Sequence, residues 1–198
     1  MSLSQTALLL IDLQIGLISH PTYWGSPRSN LALEQNVERL LSHFRSVRAM
    51  DGSSPLIIHV FHHSIHPLSP LYPSSPGVKP MPALTPLEQE RVFTKNVNSA
   101  FIGTNLEAYI REMQITKLFV VRMTTDQCIS TSVRMAANLG VVDYGNEKGQ
   151  IVLVGDGCAT FNRGKWDAET VHAVNVESLR GEFCEVMSTK EALDAMKA

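Results

Sequence analysis

The chain has 198 residues, of which 44% are hydrophobic and 18% charged, an ordinary composition for one soluble globular domain. Its net charge of −2 excludes a strongly basic surface for nucleic acid or anionic lipid, and no apolar run is long enough to cross a bilayer. The three cysteines are odd in number and widely spaced, which argues against a disulfide framework, and the start of the chain does not resemble a secretion signal. We therefore expect a single domain over residues 1–198, in the cytoplasm, with no membrane or nucleic-acid partner.

Short apolar segments alternate along the chain with segments of helical periodicity. The predicted strands are Thr6 to Leu13, Pro55 to His63, Arg91 to Lys95, Thr116 to Val121, Gly149 to Asp156 and Phe183 to Met187. The predicted helices are about Leu31 to Met50, Asn105 to Met113, one containing Cys128, Asp167 to Leu179, and a last one begun by the capping pair Ser188 and Glu191. This alternation predicts an α/β protein, a three-layer α/β/α sandwich around a mostly parallel six-stranded sheet.

A segment rich in proline interrupts this alternation between Ser64 and Pro86. Its seven prolines predict an extended, stiff loop. The sequence TPLE, from Thr85 to Glu88, predicts a helix start with Thr85 as N-cap. Long ordered loops are often functional, so we expect this one to cover a pocket or to contact a second subunit.

Cys128 follows the fourth predicted strand, where the chain turns into a helix. With Thr125 as N-cap, Cys128 lies in the first helical turn, where free backbone N–H groups gather and stabilise a thiolate or an oxyanion. The alternative for Cys128 alone is a small apolar residue of the core.

Asp12 ends the first strand and Lys95 ends the third, and either could be structural. In a parallel sheet both would lie with Cys128 at the C-terminal edge, where ligands of open α/β sheets bind. An acid, an amine and a thiol at one edge favour a catalytic site.

Four motifs resemble the isochorismatase-like cysteine hydrolases, in order and over nearly the whole chain. They are LLLIDLQIGLI, FTKNVNSAFIGTNLEAYI, TTDQCISTSVRMAANLG and VHAVNVESLRGEFCEV. The resemblance implies a catalytic triad of Asp12, Lys95 and Cys128, in which Asp12 exchanges protons with the thiol and the leaving group. Lys95 would stabilise the thiolate by its charge, and Cys128 would attack a carbonyl and form a thioester. It also implies a homo-oligomer.

Members of this family commonly have a cis peptide before the cysteine helix, which here would join Met123 to Thr124. The N–H groups of Thr124 and Cys128 would then face the oxyanion. Where the family usually has glycine, this chain has Arg122, which either reshapes the pocket or points elsewhere and pairs with an acid. Arg122 therefore makes the cis peptide uncertain on sequence grounds.

Several residues near the triad are candidates for contact with a small-molecule substrate. They are Asn98, Phe101, His62, His63 and Gln127. The nearby histidines suggest a metal site, but no Asp or Glu lies between Gly52 and Leu87 to complete one, so we expect no metal. The turn after the first strand has only one glycine, so we expect no nucleotide cofactor.

Three functions remain open from the sequence. The first is a cysteine-dependent hydrolase of a small amide. The second is a catalytically silent relative that binds a metabolite or serves as an assembly subunit, which Arg122 favours. The third is hydrolysis of a vinyl ether, as in isochorismatase itself, which needs no cysteine and is disfavoured by Cys128.

Overall fold

The computed structural model describes residues 5–52 and 54–196, and these contain one sheet of six strands, all of them parallel. The predicted α/β sheet is thus confirmed. The strands are β1 (Thr6–Ile11), β2 (Leu56–His62), β3 (Arg91–Lys95), β4 (Lys117–Met123), β5 (Gln150–Ala159) and β6 (Glu185–Met187). The helices are α1 (Ile15–Ile18), α2 (Pro21–Trp24), α3 (Leu33–Asp51), α4 (Leu106–Glu112), α5 (Ser130–Leu139), α6 (Ala168–Glu177) and α7 (Thr189–Ala195).

Residues of β1 alternate between two separate cores, one on each face of the sheet. Leu9 and Ile11 belong to one core, and Leu8 and Leu10 to the other. Successive side chains of a strand point to opposite faces, so an uninterrupted apolar run can serve both cores. Helix α3 covers the second core with the buried side chains of Leu33, Val37, Leu40, Leu41 and Phe44. The three-layer sandwich follows from these two apolar faces.

The strand order β3-β2-β1-β4-β5-β6 reverses direction between β1 and β4. The chain moves outward from β1 to β3 and then returns to the centre to build the other half. Ligands of open α/β sheets bind where the order reverses, beyond the carboxyl ends of the strands. Asp12 directly follows β1, and Arg122 lies near the end of β4, so both are at this point.

The proline-rich segment is a loop with two short 3-10 turns, Pro76–Val78 and Pro82–Leu84. It approaches α1 so closely that a Cβ on Gly16 would lie 2.8 Å from the carbonyl oxygen of Pro70. The predicted helix start at Thr85 is wrong. The Thr85 hydroxyl donates back to the Pro82 carbonyl, and the Leu87 N–H donates to Glu90.

No helix within the described residues is both long enough and apolar enough to cross a membrane.

Candidate active site

A small cavity of about 100 Å³ opens at the C-terminal edge of the sheet. The loops after β1, β2 and β3 and the segment that follows β4 all contribute to it. Its lining residues are Asp12, Leu17, Trp24, His62, Leu71, Asn98, Met123, Thr124, Gln127 and Cys128. A larger depression of about 340 Å³ opens at the other end of β5. Asp12 and Cys128 do not line it, so the smaller cavity is the candidate site.

Asp12 is buried at the base of this cavity with a left-handed backbone, at φ 54°. Such a φ is uncommon for a residue with a side chain. The N–H group of Asp12 donates to the carbonyl of Val60 on β2 at 2.8 Å, which extends the sheet by one bond. This turn brings the carboxylate over the ends of β1 and β4.

Lys95 reaches Asp12 from the end of β3. Its Nζ atom donates to Asp12 Oδ2 at 2.8 Å and to the carbonyl of Val97 at 3.1 Å, and it lies 3.2 Å from His62 Nδ1. Burial lowers the pKa of Lys95 to about 8, although the negative charge of Asp12 opposes the shift. Burial and the charge of Lys95 together lower the pKa of His62 to about 4. The imidazole is therefore neutral near pH 7 and accepts a hydrogen bond from Lys95.

Arg122 is fully buried and pairs with the same carboxylate oxygen as Lys95. Its Nη2 atom donates to Asp12 Oδ2, and its Nε atom donates to the carbonyl of Met123 at 2.8 Å. Burial alone would raise the pKa of Asp12, but the charges of Arg122 and Lys95 outweigh it and hold that pKa below its ordinary value. Of the two interpretations of Arg122 from sequence, pairing with an acid is the one observed.

The peptide bond between Met123 and Thr124 is cis, so Arg122 does not prevent this geometry. The side chain of Arg122 instead holds the Met123 carbonyl, which belongs to that bond. Thr124 follows directly and lines the cavity.

Cys128 lies in a π-helical turn, Thr125–Ile129, that leads into α5. The expected N-cap at Thr125 is wrong, because Thr124 has that position and the Ile129 N–H donates to the Thr124 carbonyl at 3.2 Å. The Thr125 hydroxyl is instead 2.8 Å from His172 Nδ1 on α6. The largely buried thiol of Cys128 lies 3.3 Å from Asn98 Oδ1, a contact between the Lys95 loop and the cysteine turn.

The structure separates the five predicted substrate contacts into two groups. Asn98, His62 and Gln127 line the cavity. Phe101 and His63 do not, since Phe101 packs in the core and the His63 N–H extends the sheet toward the Lys95 carbonyl.

Sequence reasoning missed the apolar lining from Leu17 and Leu71. Nothing in the sequence around Leu71 distinguishes it, because its place depends on how the proline-rich loop folds over α1. Trp24, at the end of α2, also lines the cavity, and its indole donates to the Gly16 carbonyl at 2.8 Å.

Arg163 connects the Trp24 side of the cavity to the cysteine turn. Its Nε atom donates to Asp126 Oδ2 at 2.6 Å, and its Nη1 atom donates to the Trp24 carbonyl at 2.9 Å. Asp126 also accepts a hydrogen bond from the Thr160 hydroxyl. The carboxylate of Asp126, two residues before Cys128, is thus paired with Arg163 and Thr160.

Within residues 5–52 and 54–196, no three side chains of His, Cys, Asp or Glu are grouped so that they could hold a metal ion. The Nδ1 atom of His62 is already beside Lys95.

Comparison with known proteins matches residues 6–191 to the Isochorismatase domain. The isochorismatase family protein YrdC of Bacillus subtilis is 31% identical over 193 residues, which cover 95% of this chain and 94% of YrdC. A solved structure of the isochorismatase family from Chromobacterium violaceum has a TM-score of 0.84 at 35% identity, covering 100% of this chain and 96% of that chain. A cysteine hydrolase from Pseudomonas syringae pv. phaseolicola has a TM-score of 0.82 at 18% identity, covering 100% and 94%, a likeness in fold alone.

Proposed function

The chain belongs to the isochorismatase family of hydrolases, and we propose that it cleaves the C–N bond of a small amide through a thioester on Cys128. One observation carries the proposal most directly: the Cys128 thiol and the Asp12 carboxylate line the same small cavity, and Lys95 holds that carboxylate at 2.8 Å. An acid–base group, a cation and a nucleophile are the groups that acyl transfer requires.

The reaction would proceed in two stages. Cys128 gives its proton to Asp12, and its sulfur attacks the carbonyl carbon, while the N–H groups of Thr124 and Cys128 receive the oxyanion. The C–N bond breaks with its electron pair on nitrogen, and Asp12 passes a proton to that nitrogen, so an amine or ammonia leaves. Water then gives a proton to Asp12 as it attacks the thioester, and the C–S bond breaks to restore the thiolate and release a carboxylic acid.

The cavity favours a small, largely uncharged substrate. Leu17, Trp24 and Leu71 give it apolar sides, while Asn98 and Gln127 offer amide groups for hydrogen bonds. His62 adds a neutral ring, because its pKa is lowered to about 4. The hydrogen-bonding groups of the site therefore suit an uncharged amide, and the proposed chemistry needs no cofactor.

The first experiment is a screen of small primary amides and ureido compounds for ammonia release. Cys128→Ala should lower kcat/KM about 1000-fold or more, since it removes the nucleophile. Cys158→Ala and Cys184→Ala are matched controls, because both thiols are buried in the apolar core and do not line the cavity.

Mass spectrometry of the protein during turnover should show the acyl group on the peptide that contains Cys128. Ammonia release that survives Cys128→Ala would contradict the thioester and favour direct attack of water on the amide. Binding of an amide with no turnover would favour the catalytically silent relative.

A further inference from the structure

The candidate site contains one more buried positive charge than its single carboxylate can neutralise. Arg122 and Lys95 both donate to Oδ2 of Asp12, and all three side chains are almost completely inaccessible to water. The Nη1 atom of Arg122 and the Oδ1 atom of Asp12 are buried and have no hydrogen-bond partner. Unbalanced buried charge is costly, so a second negative charge nearby would be strongly stabilised.

The neighbouring groups on β2 and β5 do not supply that negative charge. His62 on β2 is neutral, because burial and Lys95 lower its pKa to about 4. Cys158 on β5 pairs in register with Arg122, but burial raises its pKa far above the ordinary value, so it stays a thiol.

The groups around the cysteine turn do not supply it either. Asp126 is neutralised by Arg163, which donates to its Oδ2 atom at 2.6 Å. His172 on α6 is next to Thr125, and burial lowers its pKa despite the nearby charge of Glu169, so its ring is neutral near pH 7.

Cys128 is the remaining ionisable group of the cavity. Without Arg122, the charges of Asp12 and Lys95 would already cancel. A Cys128 thiolate would then leave the site neutral only if Asp12 kept the thiol proton. With Arg122 present, the site is neutral when Asp12 and Cys128 are both anions. This difference separates the chain from a triad of Asp, Lys and Cys without the arginine.

We propose that Arg122 is a positioning residue whose charge is balanced by a Cys128 thiolate, so that Asp12 and Cys128 are ionised together in the free protein. The thiol proton is then lost to solvent before substrate binds. The proposal rests on the proposed function, in which Cys128 is the nucleophile. Arg122 acts through Asp12 and through the Met123 carbonyl rather than by touching the substrate.

This ionisation state changes the source of the proton for the leaving nitrogen. Asp12 has none stored, so the proton comes from Lys95: it moves from Lys95 to Asp12, and Asp12 passes this one proton to the nitrogen as the C–N bond breaks. The water that later attacks the thioester returns a proton to Lys95 through Asp12. A lysine with a pKa of about 8 can both lose and regain a proton near neutral pH.

The test measures proton release when iodoacetamide alkylates the full chain, in weakly buffered solution at about pH 6.5, below the pKa of Lys95. Alkylation of a thiolate whose proton has already left releases none. Alkylation of a thiol, or of a thiolate whose proton is stored on Asp12, releases one proton per Cys128. Peptide mass spectrometry counts the alkylated Cys128, and Cys128→Ser gives the background.

We expect almost no proton release from the wild-type protein. Arg122→Met should release close to one proton, and its Cys128 should become reactive about one pH unit higher. Arg122→Lys keeps the charge and should behave nearly as wild type. This rescue distinguishes the charge of Arg122 from its packing, and thermal melting identifies a variant that does not fold.

Release of one proton per Cys128 from the wild-type protein, with fast alkylation, would overturn the proposed role of Arg122. It would still be consistent with Cys128 as the nucleophile. Alkylation of Cys128 no faster than that of Cys158 or Cys184 would overturn both proposals. Fast alkylation without proton release supports the inference even if no amide is hydrolysed. The wild-type measurement therefore decides the matter even if Arg122→Met does not fold.

Discussion

Lys95 Nζ lies 2.8 Å from Asp12 Oδ2, although 83 residues and one intervening strand separate the two. Adjacent strands are nearly 5 Å apart, so the lysine has to extend across the end of β2 to reach the far side. It crosses beside His62, whose ring is neutral and can accept one of its hydrogen bonds. Because β2 lies between β1 and β3, a basic side chain shorter than lysine at position 95 would not reach Asp12.

Lys95→Met should therefore remove the activity while leaving the fold largely intact. Methionine is similar in length to lysine and keeps its apolar stem. It has no proton to give to Asp12 and no positive charge to pair with the Asp12 carboxylate. We expect kcat to fall about 100-fold or more in assays of the amide found by the screen. Cys128 alkylation should also slow.

Lys165→Met is the matched control, because Lys165 is exposed in the loop after β5 and does not line the cavity. Undiminished turnover in Lys95→Met would show that Lys95 only supports the structure.

His62 should make the protein less stable as the pH falls from about 6.5 to about 4. Its pKa in the folded protein is about 4, against an ordinary 6.5, because of burial and of Lys95. Between these values the unfolded chain binds a proton that the folded chain does not, so acid favours unfolding. The partly exposed ring limits the effect to about 1 kcal/mol.

Urea unfolding at several pH values checks this, with His62→Gln as the test. In His62→Gln the free energy of unfolding should fall less steeply as the pH is lowered. His66→Gln, at an exposed position, should keep the pH dependence of the wild type. Equal slopes for wild type and His62→Gln would contradict a neutral His62.

The fold could be predicted from sequence because its signals are local. The runs around Leu8 to Leu10 and around Val152 to Val154 are apolar without interruption, and buried parallel strands require this pattern. Asp12 and Cys128 follow such runs, and Lys95 ends the short strand RVFTK, so their common edge could also be predicted.

Features of the site that depend on long-range packing could not be predicted. Arg122 pairs with Asp12 from 110 residues away, and the sequence does not tell which acid a buried arginine meets. Leu71 lines the cavity only because Gly16 allows the proline-rich loop to approach α1. The turn at Thr125 is π-helical because the Ile129 N–H donates to the carbonyl of Thr124, five residues back, which the capping pattern did not indicate.

Asn98 should tune the reactivity of Cys128, because its side-chain oxygen lies 3.3 Å from the sulfur. Asn98→Ala should speed alkylation of Cys128 about threefold, because this oxygen accepts a hydrogen bond from the neutral thiol and its loss makes the thiolate easier to form. Asn98→Asp should instead slow alkylation of Cys128, because it adds a negative charge beside a group that reacts as an anion.

Asn96→Ala is the matched control, since Asn96 is an exposed asparagine of the same loop and does not line the cavity. Rates of alkylation at several pH values measure the effect directly. An Asn98→Asp variant that reacts as fast as Asn98→Ala would show that the charge of residue 98 does not reach Cys128.

Glu90 should contribute to stability through a network behind the site rather than within it. Its buried carboxylate accepts two hydrogen bonds from Arg45 on α3, at 2.7 and 2.8 Å, and lies 2.8 Å from His59 on β2. Burial alone would raise its pKa, but these hydrogen bonds outweigh it and lower that pKa to about 2, from an ordinary 4.5. The carboxylate therefore joins α3 to β2 just before the start of β3.

Glu90→Ala should lower the free energy of unfolding by about 3 kcal/mol at neutral pH, because it leaves the partners of a buried carboxylate unpaired. Glu88→Ala, at an exposed position two residues earlier, should have little effect. The contribution of Glu90 is complete above pH 4.5 and is lost as the pH falls toward about 2, so the gap between wild type and Glu90→Ala should close over that range. A gap that stays constant in acid would mean that Glu90 stabilises the protein by packing and not by its charge.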